Sequence, residues 1–260
     1  MYLWKYWRES RITFAVGMAL VGLLLWSMLK LSVGYPGPAQ GYSENGVALN
    51  TARSIPPQIY LVIVSVLTLP LAFLGLRFGS FGVGRGLGEG SGSFLFSRPR
   101  TRAFFVWSDW GCGMAQLLLL VLAANAVLAF GYYRIAPDSG PVLVAGAPVS
   151  MATIFALHCV AGLLLTGLIF GLTYFSSVLT RGHGLMLAVG VLLAYFIAKA
   201  VMKYRWQITL PDITLTEFVQ SSTRNMRFAD HLGLSIALRA GVALLFPFAA
   251  QWLLQTSDID

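Results

Sequence analysis

The chain has 260 residues, of which 57% are hydrophobic and 11% charged, against about 25% charged in a soluble domain. So few charges cannot cover a water-soluble globule, and an integral membrane protein is expected. The net charge of +8 and pI near 9.8 do not point to nucleic acid, because the 18 Lys and Arg are scattered at the ends of apolar runs, where they suit lipid headgroups and topology.

A helix crosses the hydrocarbon core with about 20 apolar residues, and six segments meet or approach that length: 12–33, 58–77, 112–133, 150–172, 184–202 and 234–255. The first follows a basic segment, MYLWKYWRESR, and lacks an A-x-A cleavage site, so it reads as a retained span. In the second, Pro70 is predicted to kink the helix. Trp107, Asp109 and Trp110 lead into the third at the membrane interface. The fourth comes from an uncharged stretch, Ser139 to Thr180, longer than one crossing; Ser150, behind Pro148, is its predicted N-cap. The fifth is short and contains Lys199, and the sixth has Arg239 near its start and Trp252 near its end.

Basic residues in short flanking loops favour the cytoplasm. Lys5, Arg8 and Arg11 therefore place the amino terminus inside, and alternation brings Arg77, Arg85, Arg98, Arg100 and Arg102 inside with it. The loop from Lys203 to His231 then falls outside, although it holds Lys203, Arg205, Arg224 and Arg227. Within it Thr214 and Glu217 have capping-box spacing, and Leu215, Phe218, Val219, Ser222 and Met226 share roughly one helical face. A short helix dipping into the outer leaflet and a solvated connecting loop both fit that pattern.

The two cysteines, Cys112 and Cys159, show no CxxC or Cys/His spacing, so neither a metal site nor a disulfide framework is indicated. All ten acidic residues lie outside the middle of any expected span. Ion-coupled carriers usually keep a carboxylate at mid-membrane, so ion coupling is not expected. No lysine precedes Ser or Thr in a GxxxxGK loop, which excludes a Walker A site. The run Gly82, Gly84, Gly86, Gly88, Gly90, Gly92 has no register with an intact GxGxxG and reads as a flexible approach to a helix. Gln116, Asn125 and His158 lie within spans; they could line a substrate path, but interhelical hydrogen bonding is the commoner use of such residues. Gly167 and Gly171 permit close helix approach.

The most distinctive segment is GEGSGSFLFSRPRTR, Gly88 to Arg102, between the second and third spans. A short apolar face bounded by glycines and by Arg98-Pro99 suits docking into a groove on another protein. Resting on the inner leaflet, with Phe94 and Phe96 among headgroups and the arginines on phosphates, suits the same residues.

The sequence Glu89-Gly90-Ser91, then Phe94-Leu95-Phe96-Ser97-Arg98-Pro99, then Arg102 resembles the EGT...LLLS(R/L)P..R signature between the second and third spans of ABC-2 type ABC transporter permeases. Six spans, the charged amino-terminal segment and a re-entrant outer element between spans five and six are similar to that family as well. Ser91 stands for the usual Thr, Phe for Leu, and Gly92 for a larger apolar residue. The resemblance implies an all-α integral membrane protein, with residues 1–260 forming one transmembrane permease domain of six helices and a cytoplasmic coupling helix. It implies a subunit that is no enzyme and holds no cofactor itself, ATP and Mg being bound by a partner ABC ATPase. It further implies pairing with a second permease copy, as homodimer or heterodimer, in the bacterial inner membrane, used as an exporter. Glu89 to Arg102 would be the coupling element, with Phe94, Leu95 and Phe96 in the ATPase groove and Glu89 and Arg98 at its rim. Tyr2, Trp4, Tyr6 and Trp7 would brace this loop. The competing expectation is a non-transporting membrane scaffold or assembly factor that recruits a cytoplasmic partner through the same loop.

Overall fold

A computed structural model of the chain describes residues 2–34, 70–90, 101–135, 142–144, 147–207, 219–221, 226–228 and 232–256. Lipid offers the backbone no hydrogen-bond partners, so apolar runs close their own backbone bonds as helices. The described helices are α1 (Tyr2–Gly34), α2 (residues 70–79), α3 (Val83–Gly88), α4 (Arg102–Ile135), α5 (Met151–Leu179), α6 (Gly184–Trp206) and α7 (Leu232–Thr256). Among the described residues five helices are long and apolar enough to cross a membrane: Trp4–Lys30, Arg102–Arg134, Ala152–Leu179, Gly184–Trp206 and Gly233–Thr256. Most of the expected span 58–77 lies outside the described residues.

The helices run past the apolar segments that define them. α1 begins at Tyr2 and α4 at Arg102, each ten residues ahead of the expected span at 12 or 112, because no Gly-Pro signal interrupts the preceding turns. Ser150 caps α5: its side chain accepts from the Thr153 amide at 3.2 Å. Arg181 and Gly182, both at positive φ, turn the chain from α5 into α6, and Gln207 ends α6 in the left-handed conformation.

Side-chain contacts give the directions. Along α1 and α4, Ser10 pairs with Gln116, Gly17 meets Leu120, and Met28 packs over Gly131, so these helices run parallel. α2 and α3 run alongside α5, with Gly75 against Thr166 and Gly84 against Ser177. One end of the bundle therefore gathers the start of α1, the α2–α3 turn, the α5–α6 turn and the end of α7. The other end carries four three-residue strands: β1 (Val142–Val144), β2 (Ala147–Val149), β3 (Val219–Ser221) and β4 (Met226–Phe228). They form a sheet in the order β2-β1-β4-β3. The outer pair β3–β4 is antiparallel, Val219 opposite Phe228, and β4 joins β1 in parallel at Met226 and Val144.

This corrects the outer helical face expected for the α6–α7 connection. Val219 and Met226 stand in strands; Met226-Arg227-Phe228 alternates apolar and polar residues with the period of a strand, and β3 and β1 supply its pairing partners. Thr214, Leu215, Glu217, Phe218 and Ser222 lie outside the described residues.

Candidate functional site

The distinctive loop begins where α2 turns into α3, and that turn is built around glycines. Gly75, Gly79 and Gly84 face α5 along one seam, and Gly88 continues it onto the α5–α6 turn. A Cβ added at Gly75 would lie 3.0 Å from the Thr166 carbonyl oxygen, at Gly79 2.6 Å from that of Phe170, and at Gly84 2.6 Å from the Ser177 carbonyl carbon. At Gly88 it would collide with the Arg181 carbonyl. Small residues at such spacing let helix backbones approach closely. Of the glycine run expected to be a flexible approach, Gly84, Gly86 and Gly88 therefore stand in a helix, α3, seated on α5, because the missing side chains make room for the neighbouring backbone.

Between α2 and α3, Phe81 and Ser80 donate their amides to Phe78 and Arg77 at 3.3 and 3.2 Å, and Gly82 adopts φ +83°, where a side chain is strained. Two carboxylates grip this turn. Asp109 of α4 accepts from the Val83 amide at 2.7 Å, and Glu9 of α1 accepts a long bond from the Gly82 amide at 3.5 Å. Lys5 stands 3.8 Å from Glu9. Tyr6 donates its hydroxyl to the Phe78 carbonyl at 3.2 Å, and Tyr174 donates to the Val106 carbonyl at 3.3 Å.

Asp109, expected near the membrane interface, is completely buried among the helices. The helix start at Arg102 carries it inward to face the α2–α3 turn, where a backbone N–H compensates part of the cost of burying its charge. Around it Tyr6, Phe78 and Phe81 pack in one apolar cluster, and Val83, Phe105, Val106 and Tyr174 in a second.

The loop residues themselves divide. Glu89 closes α3 with its amide on the Arg85 carbonyl at 3.0 Å, and its carboxylate takes a hydrogen bond from Arg85 Nε at 2.6 Å. That bond raises the Arg85 guanidinium above its ordinary pKa. Glu89 is thus held within its own helix. Gly90 follows at φ +75° with open space around it. Ser91, Phe94, Leu95, Phe96, Ser97, Arg98 and Pro99 lie outside the described residues. Arg102, on the far side of the loop, donates to the Leu254 carbonyl of α7. Just beyond it, Trp107 donates to Gln251 at 2.8 Å and stacks edge-on against Phe248 with centroids 4.9 Å apart. The loop therefore starts on α5 and ends on α7.

Of the aromatic residues expected to brace it, Tyr6 is buried against the turn, whereas Trp4 and Trp7 are exposed. Gln116 donates to Ser10 at 2.9 Å, tying α4 to α1. Asn125 bonds the Val121 carbonyl of its own helix at 2.8 Å. His158 is buried in α5. Gly167 and Gly171 receive side chains from different neighbours, Met114 of α4 and Phe246 of α7.

Sequence reading missed the Glu9–Gly82–Asp109 arrangement. Its signal was an aspartate between two tryptophans, a charge that has to find a partner once the helix extends. Among the described residues no group of His, Cys, Asp and Glu could hold a metal ion. The fold defines a multi-pass helical membrane protein. No protein family, curated protein or solved structure matches the chain.

Proposed function

We propose that the chain is the transmembrane subunit of an ATP-driven ABC-2 type transporter, an exporter of the bacterial inner membrane with its amino terminus in the cytoplasm. A separate ABC ATPase docks on the loop 89–102, binds the ATP and Mg, and drives a pair of permease copies. The observation that supports this most is the anchoring of the loop at both feet: α3 is seated on α5 and gripped by Asp109, while Arg102 is fastened to α7. A push on such a loop reaches α4, α5 and α7 directly, as energising a chain without its own nucleotide site requires. Gly90, at positive φ, gives the chain leaving α3 a turn with open space around it.

The test is co-purification of the full chain from its native membrane. Phe96→Asp places an unpaired charge in an apolar contact, where losing one anchor costs about 2 kcal/mol or more, and should release a bound ATPase; Phe96→Leu should retain it. Equal ATPase recovery with wild type and Phe96→Asp would defeat the reading, and recovery of a partner with no ATPase would favour the scaffold.

A further inference from the structure

A cavity of about 200 Å³ opens between α1, α2 and α4. Gly17, Val21 and Leu24 line it from α1, Leu74 from α2, and Leu120 and Ala124 from α4. Among the described lining residues Ser27 carries the one side-chain hydroxyl, and it already donates to the Leu23 carbonyl at 2.8 Å. The described part of the wall thus presents hydrocarbon to whatever enters. A dry apolar cavity of about 150 Å³ holds a benzene molecule, so this one accommodates a length of a single alkyl chain.

Its position in the bundle narrows the occupant. Gly17 lies at the middle of the candidate span Trp4–Lys30, and the thirteen residues from 17 to 30 correspond to about 20 Å of helix. That distance is half of a bilayer of roughly 40 Å including headgroups. The cavity therefore begins where acyl chains end and rises towards a headgroup layer. Leu23, Ser27 and Lys30 follow one another at i, i+4 and i+7 along one edge of the α1 wall. Leu23 is exposed there, which opens that edge to the bilayer. Lys30 stands 5.8 Å from the Trp26 ring centroid, and an aromatic ring beside a cation is typical of the membrane interface. Arg134 lies at the same end of α4, three residues beyond Gly131, which Met28 covers.

We propose that the cavity between α1, α2 and α4 holds one acyl chain of an anionic phospholipid from the leaflet at the sheet end, with Lys30 on its phosphate. Bilayer tails are as apolar as the wall, so burial alone gives no preference. Preference comes from filling a space whose lining otherwise lacks contacts and from the cation at headgroup depth. This inference requires that the protein sits in a membrane and is independent of what it transports.

The experiment uses the full chain in nanodiscs of phosphatidylcholine containing phosphatidylglycerol with a photoactivatable diazirine near the end of one acyl chain. Crosslinked peptides are then mapped. In the wild type, label should concentrate on residues 17–27 of α1 and 120–124 of α4, above the level on lipid-facing α6. Val21→Phe fills the space from α1 and Ala124→Leu from α4; each should abolish the concentrated label and leave α6 labelling unchanged. Lys30→Glu, an exposed change, should reduce labelling by the phosphatidylglycerol probe and spare that by a phosphatidylcholine probe. Uniform labelling of α1 and α6 in the wild type would overturn the proposal. So would label at 17–27 that survives both filling substitutions, or a Lys30→Glu chain that labels equally with the anionic probe.

Discussion

Gly82 and Asp109 touch across the α2–α3 turn so closely that a Cβ on the glycine would occupy the place of the aspartate carboxylate. Each requires the other. The left-handed φ of Gly82 points the Val83 amide at Asp109, and the buried carboxylate has that amide as a donor because the turn takes this shape.

Gly82→Ala should therefore be strongly destabilising, since a side chain at positive φ costs about 1–2 kcal/mol before the collision with Asp109 is counted. Asp109→Asn keeps an acceptor oxygen and loses a charge-assisted bond, a loss of about 1 kcal/mol. Thermal unfolding in detergent should rank the variants wild type, Asp109→Asn, Gly82→Ala. A Gly82→Ala protein melting with the wild type would show that the turn is not held this way.

The glycine seam makes a paired prediction. Gly79 and Gly22 are both helical glycines, yet a Cβ at Gly79 would lie 2.6 Å from the Phe170 carbonyl oxygen while Gly22 has nothing within 4 Å. Alanine replaces glycine in an open helix with a gain of up to about 1 kcal/mol. Gly22→Ala should hold or raise the melting temperature, and Gly79→Ala should lower it. Equal effects would mean that α2 and α5 are not in backbone contact.

The isolated chain should hydrolyse no ATP, because it contains no GxxxxGK[S/T] loop. The measurement is phosphate release by protein freed of every co-purifying ATPase. Turnover that persists after that separation would refute the proposed division of labour.

Orientation is open to labelling. A cysteine at Ser43 should react with an impermeant thiol reagent in intact cells, and one at Ser93 should not, given the basic residues that flank the first spans. Background from Cys112 and Cys159 is removed by their prior replacement. Label at Ser93 from outside would place the loop beyond reach of any cytoplasmic ATPase.

Apolar runs made the helices legible: length and the scarcity of charge alone mark α1, α4, α5, α6 and α7, and Ser150 behind Pro148 marks where α5 starts. What the runs could not carry was which polar residues end up buried. Nothing in the apolar runs around Asp109 announces that it is buried, because that burial depends on the α2–α3 turn presenting the Val83 amide to it. The glycines of residues 75–88 were ambiguous for a related reason: the same composition suits a loose linker or a tight seam, and only the facing α5 backbone decides. In the α6–α7 connection, strand and helix periods compete over very short runs, and the partner strand β1 lies far away in sequence.

During synthesis β1 must wait for β4. Its hairpin with β2 is made early, but the inner rung of the ladder joins Val144 to Met226, with both α5 and α6 intervening. A lone two-stranded hairpin is marginal in water. Only a chain that has threaded α5 and α6 through the bilayer in opposite directions delivers β4 to the side where β1 is waiting. A nascent protein with a skipped or inverted crossing would keep the β1–β2 hairpin and leave the far edge of β1 without its rung to β4.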